Sequence, residues 1–121
     1  MINNKTNYMF KFTVIMAVYN IAEYLEEAIE SLVAQTVDFK KNVQLILVND
    51  GSTDESQKIC EAYQNQYPHN VMVINKKNGG VSSTRNAGLP YVRGRLVNFM
   101  DGDDQMSEDA LLRVNTFFVN A

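Results

Sequence analysis

The feature that most constrains the fold is an alternation of short, apolar, β-branched runs with longer segments of helical periodicity. The apolar runs predict strands over residues 12–18, 43–49, 71–75 and 95–100. The periodic segments predict helices over 22–35, from the capping box of Ser52 and Glu55 to about 67, over 81–89 and over 107–118. Strands that are apolar on both faces and separated by helices favour a mostly parallel sheet in a three-layer α/β/α architecture.

Length and composition limit the class of protein further. The 121 residues suffice for one domain, and 45% hydrophobic with 21% charged residues is typical of a globular chain. A net charge of -3 with scattered basic residues argues against a nucleic-acid partner. A single cysteine, Cys60, cannot form an internal disulfide, which favours a cytoplasmic location, with attachment to the inner face of a membrane left open.

Two further features concern the chain ends and membranes. Residues 1–10 are interpreted as a polar leader, because they lack the basic start and apolar middle of a signal peptide. No run in the sequence approaches the roughly 20 apolar residues of a membrane span, so no transmembrane segment is expected in this chain.

Polar residues follow each predicted strand. They are Tyr19 and Asn20, then "NDGS" from Asn49, then Asn75 and "KKNGG", and finally "DGDD" from Asp101. Parallel strands end at the same edge of a sheet, and ligands bind there near the point where the strand order reverses. Residues far apart in the sequence are therefore expected to meet in one crevice.

The "DGDD" stretch has two interpretations. Asp residues are common in turns and at helix N-termini, and for an isolated "DGD" this explanation is about as good as a metal site. Asp101 and Asp103 flank Gly102, and Asp104 adds a third carboxylate directly after a strand. Carboxylate oxygens suit hard cations, so the position favours a Mg²⁺ or Mn²⁺ site.

The other candidate side chains are less specific on their own. Asp50 offers acceptor oxygens to a nucleobase or ribose, although a turn before a capped helix would also explain it. Arg85 has a guanidinium that suits a phosphate, although a solvated arginine is the commoner case. The chain has neither the G-x-G-x-x-G nor the P-loop pattern, and no Ser-His-Asp or Cys-His arrangement is defensible.

Together, five stretches resemble the nucleotide-binding half of a family 2 glycosyltransferase of the GT-A fold, a Rossmann-like nucleotide-diphospho-sugar transferase. They are "VIMAVYN", "YLEEAIESLVAQT", "LILVNDGSTDES", "NGGVSSTRNAG" and "VNFMDGDD", in family order between about residues 12 and 109. The resemblance implies a nucleotide-diphosphate-sugar donor, with a UDP-sugar favoured, a carbohydrate or lipid-linked acceptor, and Mn²⁺ or Mg²⁺ as cofactor.

The resemblance also implies roles for particular residues. Asp101 and Asp103 match the family's D-x-D pair, which with Asp104 meets the ribose and the metal. Contacts to the base are implied for Ala17, Tyr19 and Asp50, and contacts to the base or pyrophosphate for Arg85. The chain departs from the family at Ala17, Asn49 and Thr84, where Pro, Asp and Ala are usual.

The resemblance leaves the acceptor side unassigned. Family members are longer, and their acceptor half and catalytic base lie downstream of D-x-D. Residues 11–121 are therefore expected to be the donor-binding part of a truncated GT-A domain, with the base beyond residue 121 and no catalytic residue within the chain. The expected activity is inverting, metal-dependent sugar transfer in cell-surface polysaccharide or glycoconjugate synthesis. The alternatives are a non-catalytic nucleotide-sugar-binding module and, less favoured, an aspartate-dependent phosphotransferase of the haloacid dehalogenase type.

Overall fold

The computed structural model describes residues 9–35 and 37–102. Strands alternate with helices through this part of the chain. The strands are β1 (Phe10–Val18), β2 (Val43–Asp50), β3 (Val71–Lys76) and β4 (Gly94–Asp101). The helices are α1 (Ala22–Val33), α2 (Phe39–Asn42), α3 (Ser56–Gln66) and α4 (Val81–Gly88), and a 3₁₀ turn (Leu89–Tyr91) follows α4.

The described strands form one parallel sheet in the order β3-β2-β1-β4. β1 therefore lies between β2 and β4, and the strand order reverses beside it. Neighbouring strands end level with one another, because Val18 pairs with Asn49, Ala17 with Asp101 and Asp50 with Lys76. The predicted parallel sheet is confirmed, and its polar strand ends share one edge.

Helices cover both faces of the sheet. Phe12, Val14 and Met16 of β1 belong to the larger hydrophobic core, together with residues of α1 and α3. Ile15 faces the opposite way and packs in a smaller cluster that includes Ala87 of α4. Alternate residues of one strand thus serve two cores, as the continuously apolar run predicted, and the three-layer architecture is confirmed.

The apolar stripes of α1 and α3 explain how these helices pack. Leu25, Ala28, Ile29 and Leu32 are buried on α1 at three- and four-residue spacing, and Cys60 and Tyr63 are buried on α3. No helix in the part of the chain that the structure describes is long and apolar enough to span a membrane.

Three local predictions need comment. The predicted capping box was wrong: α3 begins at Ser56 rather than after Ser52, and the Ser52 hydroxyl accepts a hydrogen bond from the Asn20 N–H instead. The first N–H of the helix, that of Ser56, donates to Asp54 Oδ1 at 2.8 Å. The four-residue helix α2 was not predicted, although Asp38 caps it by accepting a hydrogen bond from the Lys41 N–H. β1 begins two residues earlier than expected, and the predicted helix over 107–118 lies outside the described residues.

Candidate functional site

A crevice of about 320 Å³ opens at the carboxyl edge of the sheet, beside the reversal of strand order. Its walls come from the ends of β1, β2 and β4 and from the start of α4, as the topology requires. The lining residues are Ala17, Tyr19, Ile21, Asp50, Asn78, Gly80, Val81, Thr84, Asp101 and Gly102. Four of the predicted site residues, Ala17, Tyr19, Asp50 and Asp101, are therefore brought together.

Asp101 ends β4 and projects an exposed carboxylate at the crevice. The Gly102 N–H donates a hydrogen bond to the Ala17 carbonyl at 2.9 Å, which ties this strand end to β1. A side chain at position 102 would collide with Ile21, so glycine allows this close approach. Within the described part of the chain, no hydrogen bond or ion pair engages the Asp101 carboxylate, which leaves its oxygens available to a ligand.

The remainder of the acidic cluster lies outside the described residues. Asp103 and Asp104 belong to that part, so the predicted metal pair of Asp101 and Asp103 stays a prediction. Among residues 9–35 and 37–102, no three His, Cys, Asp or Glu side chains form a potential metal cluster. The exposed carboxylate of Asp101, which no other described residue binds, nevertheless has the ligand chemistry that Mg²⁺ and Mn²⁺ require.

Asp50 lies on the opposite wall and is almost fully engaged by the protein. Its Oδ1 accepts hydrogen bonds from Lys76 Nζ and the Gly79 N–H, both at 2.8 Å, and its Oδ2 accepts one from the Gly80 N–H at 3.0 Å. Desolvation by itself would raise the pKa of Asp50. The hydrogen bonds from Lys76, Gly79 and Gly80 and the charge of Lys76 outweigh it, so the pKa lies below its ordinary value.

Tyr19, directly after β1, forms the third wall, and Asn20 follows it outside the lining. Tyr19 is 51% exposed and lines the crevice, so part of it is accessible to a ligand. Asn20 follows with a positive φ of 50°, a left-handed conformation that Asn tolerates better than most residues. Its Oδ1 accepts hydrogen bonds from the N–H groups of Thr53, at 2.7 Å, and Asp54, at 3.3 Å.

These contacts belong to a larger junction, here called the interloop clasp, between residues 20–22 after β1 and residues 52–56 after β2. The Asn20 N–H donates to Ser52 Oγ at 3.0 Å, and the Ala22 N–H donates to Asp54 Oδ2 at 3.1 Å. Desolvation opposes the charge of Asp54, but hydrogen bonds from Ser56 and Ala22 outweigh it and lower the pKa of this carboxyl. The polar residues of "NDGSTDES" thus join two loops.

Arg85 does not line the crevice. It lies on α4, where its guanidinium is 4.9 Å from the centre of the Phe99 ring on β4, a cation–π contact. Val81 and Thr84, on the same helix, line the crevice instead. The proposed contact of Arg85 with base or pyrophosphate therefore stays a prediction, and it would require the side chain to leave Phe99.

Asn49 also turns away from the crevice. It is buried, its Nδ2 donates to Asn75 Oδ1 at 3.0 Å, and its Oδ1 accepts from the Ser52 N–H at 3.2 Å. This position, where the family usually has Asp, therefore stabilises the strand end and the turn. Thr84, another departure, is buried with its hydroxyl donating to the Val81 carbonyl, and it borders the crevice.

Sequence reasoning missed several residues that build the site. Lys76, Asn78 and Asp54 received no role, although each holds a wall of the crevice in place. The only signal in the sequence was their position at the end of β3 or in the loops that follow β2 and β3. A second cavity of about 370 Å³ is lined by residues of α1 and α3 and by Glu55, and by none of the predicted site residues, so volume alone would not have identified the site.

The fold and the site indicate a nucleotide-binding protein. A parallel α/β sheet with carboxylates around a crevice at its switch point is typical of proteins that bind nucleotides. Comparison with known families then identifies the family. The family model "Glycosyl transferase family 2" matches residues 13–120, and the chain belongs to this family.

Individual relatives agree with this assignment. The chain is 50% identical to the minor teichoic acid biosynthesis protein GgaB of Bacillus subtilis over 115 residues, which are 95% of this chain and 13% of that protein. It is 42% identical to GgaA of the same organism over 112 residues, 91% of this chain and 25% of that protein. The chain therefore spans a quarter or less of the length of these two relatives.

A solved structure shows the same fold. S. aureus TarS 1-349 in complex with UDP-GlcNAc superposes with a TM-score of 0.83 and 33% identity, covering 92% of this chain and 32% of that one. The GT-A fold expected from the sequence is confirmed.

Proposed function

We propose that the protein transfers a sugar from a nucleotide-diphosphate sugar to an acceptor hydroxyl during synthesis of a cell-surface polymer. The observation that carries the proposal is the crevice itself, where Asp50 and Asp101 stand on separate strands in a family 2 glycosyltransferase chain. Relatives named for teichoic acid biosynthesis and a UDP-GlcNAc complex of TarS support the polymer and the donor. They favour this activity over the phosphotransferase alternative.

The hydrogen bonding of Asp50 favours uracil as the base. A carboxylate has about four lone-pair positions, and the protein uses three, from Lys76, Gly79 and Gly80. The remaining position, on Oδ2, can accept one hydrogen bond from a ligand. The ring N–H of uracil (N3) or guanine (N1) can donate it, whereas N3 of cytosine carries no hydrogen and cytosine can donate only from its exocyclic N4 amino group, at a different position on the base. We therefore expect UDP or GDP to bind better than CDP.

Asp101 is proposed to hold the diphosphate side of the donor through Mn²⁺ or Mg²⁺, with Asp103 and Asp104 as further candidate ligands from the sequence. The exposed carboxylate of Asp101 has no competing partner within residues 9–35 and 37–102. A bound divalent cation would neutralise charge on the diphosphate and so improve the leaving group. Tyr19, which is half exposed at the crevice, is proposed to stack on the base.

The proposed transfer inverts the configuration at the anomeric carbon. The acceptor hydroxyl oxygen forms a bond to that carbon while the bond to the diphosphate oxygen breaks. The hydroxyl proton passes to a base expected beyond residue 121, and the nucleotide diphosphate leaves with the electron pair. Residues 9–102 contribute binding and orientation of the donor, which lowers the entropic part of the barrier.

The test is thermal unfolding of the full-length protein with UDP, CDP or GDP, each with and without Mn²⁺. A ligand at about 100 times its Kd stabilises a protein by about 2.7 kcal/mol, which corresponds to several degrees in Tm. We expect stabilisation by UDP that increases with Mn²⁺. In Asp101→Asn the Mn²⁺-dependent part should disappear, whereas Glu23→Gln, an exposed carboxylate on α1 outside the crevice, should behave like wild type.

Two outcomes would contradict the proposal. A folded protein that responds to no nucleoside diphosphate has no donor site of this kind. A protein that binds UDP but releases none from a UDP-sugar in the presence of varied carbohydrate and lipid-linked acceptors would be a binding module rather than an enzyme.

A further inference from the structure

Lys76, at the end of β3, is bound to the Asp50 carboxylate and to the loop that follows the strand. Its Nζ donates to Asp50 Oδ1 at 2.8 Å and to the Lys77 carbonyl at 2.6 Å. The Lys76 side chain is 19% exposed and that of Asp50 is 6% exposed, so the pair is largely shielded from water. Because this ion pair is shielded from water, it does not serve the solubility of the surface in the way that exposed charges do.

The pair holds the 78–80 loop, which forms part of the crevice wall. The N–H groups of Gly79 and Gly80 donate to the Asp50 carboxylate, and the Asn78 side chain donates to the Asp50 carbonyl at 3.0 Å. The loop lies close to the lysine, since a Cβ at position 79 would lie 2.9 Å from Lys76 Nζ. Asn78 and Gly80 both line the crevice, so the position of this loop sets the shape of the wall.

The same contacts control what Asp50 can offer to a ligand. Lys76 and Gly79 together occupy both lone-pair positions of Oδ1, so only Oδ2 has a position free for the crevice. Without the ammonium group, Oδ1 would regain an acceptor position and the carboxylate would lose its main charge partner. The side chain could then rotate away from the geometry that selects a single N–H donor.

We infer that Lys76 is a positioning residue of the donor site, which orients the Asp50 carboxylate and the 78–80 loop so that the crevice selects bases with a ring N–H. This inference rests on the proposed function. It assigns base selectivity to a side chain that is not among the crevice-lining residues. Buried ion pairs contribute little net stability on average, which fits a role in geometry.

The test compares Lys76→Met with Lys77→Met in the full-length protein. Both changes remove one positive charge, but the Lys77 side chain is exposed and makes no hydrogen bond or ion pair in the part of the chain that the structure describes. Titration calorimetry with UDP and CDP gives the two dissociation constants. For Lys76→Met we expect UDP affinity to fall about tenfold, the equivalent of one charge-assisted hydrogen bond, with a smaller preference for UDP over CDP.

Lys77→Met should retain the wild-type constants, and Lys76→Arg, which keeps the charge and the donors, should recover part of the selectivity. If Lys76→Met loses its circular dichroism signal, Lys76→Gln, which keeps a neutral donor, replaces it with the same expectation. If a folded Lys76 variant keeps the wild-type affinity for UDP and the wild-type ratio of UDP to CDP affinity, the inference about Lys76 is wrong and the proposed function still stands. Failure of the wild-type protein to bind any nucleoside diphosphate would overturn the proposed function and the inference together.

Discussion

Asn20 offers a test of how the interloop clasp is built, because two separate physical effects meet at this residue. Its backbone has a positive φ, and its side-chain oxygen accepts hydrogen bonds from the N–H groups of Thr53 and Asp54. Asn20→Gly removes the side-chain contacts but suits the left-handed backbone. Asn20→Ala removes the same contacts and places a Cβ in an unfavourable conformation.

The structure allows the two costs to be estimated. The junction is exposed, so the freed N–H groups can bind water, and the loss of the side-chain bonds should cost about 1 kcal/mol. Alanine at positive φ should cost about 1 kcal/mol more than glycine. We therefore expect the free energy of unfolding to fall by about 1 kcal/mol in Asn20→Gly and by about 2 kcal/mol in Asn20→Ala.

Urea denaturation followed by circular dichroism measures both values by linear extrapolation. Asn65→Ala, an exposed asparagine on α3, serves as the control and should change stability by less than about 0.5 kcal/mol. UDP affinity should also fall in both Asn20 variants, because Asn20 fixes the loop that directly follows Tyr19, and Tyr19 lines the crevice. If the Gly and Ala variants are equally stable, the strain argument is wrong. If both variants are as stable as wild type, the hydrogen bonds of Asn20 in the interloop clasp do not stabilise the protein.

Three other predictions concern pH, packing and reactivity. The pKa of Asp50 lies below its ordinary value of 3.8, so the stability advantage of wild type over Asp50→Asn should be full at neutral pH and should shrink as the pH falls through the folded pKa. Urea titrations between neutral and acidic pH measure this difference, and a difference that stays constant with pH would contradict the prediction. Gly94→Ala should destabilise by about 2 kcal/mol or more, seen as a lower urea midpoint, because the new Cβ would collide with Thr13 and the Phe12 backbone; an unchanged midpoint would show that β4 shifts freely. Burial raises the pKa of the Cys60 thiol to about 12, so a thiol reagent at mildly alkaline pH should react only after unfolding, and rapid reaction of the native protein would place this thiol at the surface.

The sequence predicted the architecture well because the signals for it are local. Each buried strand is a short apolar run, and α1 shows its inward face in the spacing of Leu25, Ile29 and Leu32. The alternation of strands and helices then required a parallel sheet. The short helix α2 was not predicted because four residues are too few to show a helical period, and the capping residue Asp38 alone is a weak signal.

The site was predictable in position but not in detail. Parallel strands bring Ala17, Tyr19, Asp50 and Asp101 to one edge whatever their side chains do. Hydrogen-bond partners depend instead on contacts between loops that are distant in sequence. Ser52 was assigned to a local capping box because Glu55 has the right spacing, yet its hydroxyl binds Asn20, 32 residues away. Likewise, Arg85 suited a phosphate, and only the structure reveals Phe99 beneath it.

The interloop clasp has a consequence for the thermodynamics of donor recognition. The clasp fixes the loops after β1 and β2 to each other, and Asp50 fixes the 78–80 loop to the end of β2. These walls are therefore ordered before any ligand arrives, and the entropy lost in fixing them belongs to folding rather than to binding. A small donor can then bind with a favourable entropy balance, and calorimetry should show a modest entropic penalty for UDP compared with a site whose loops order on binding.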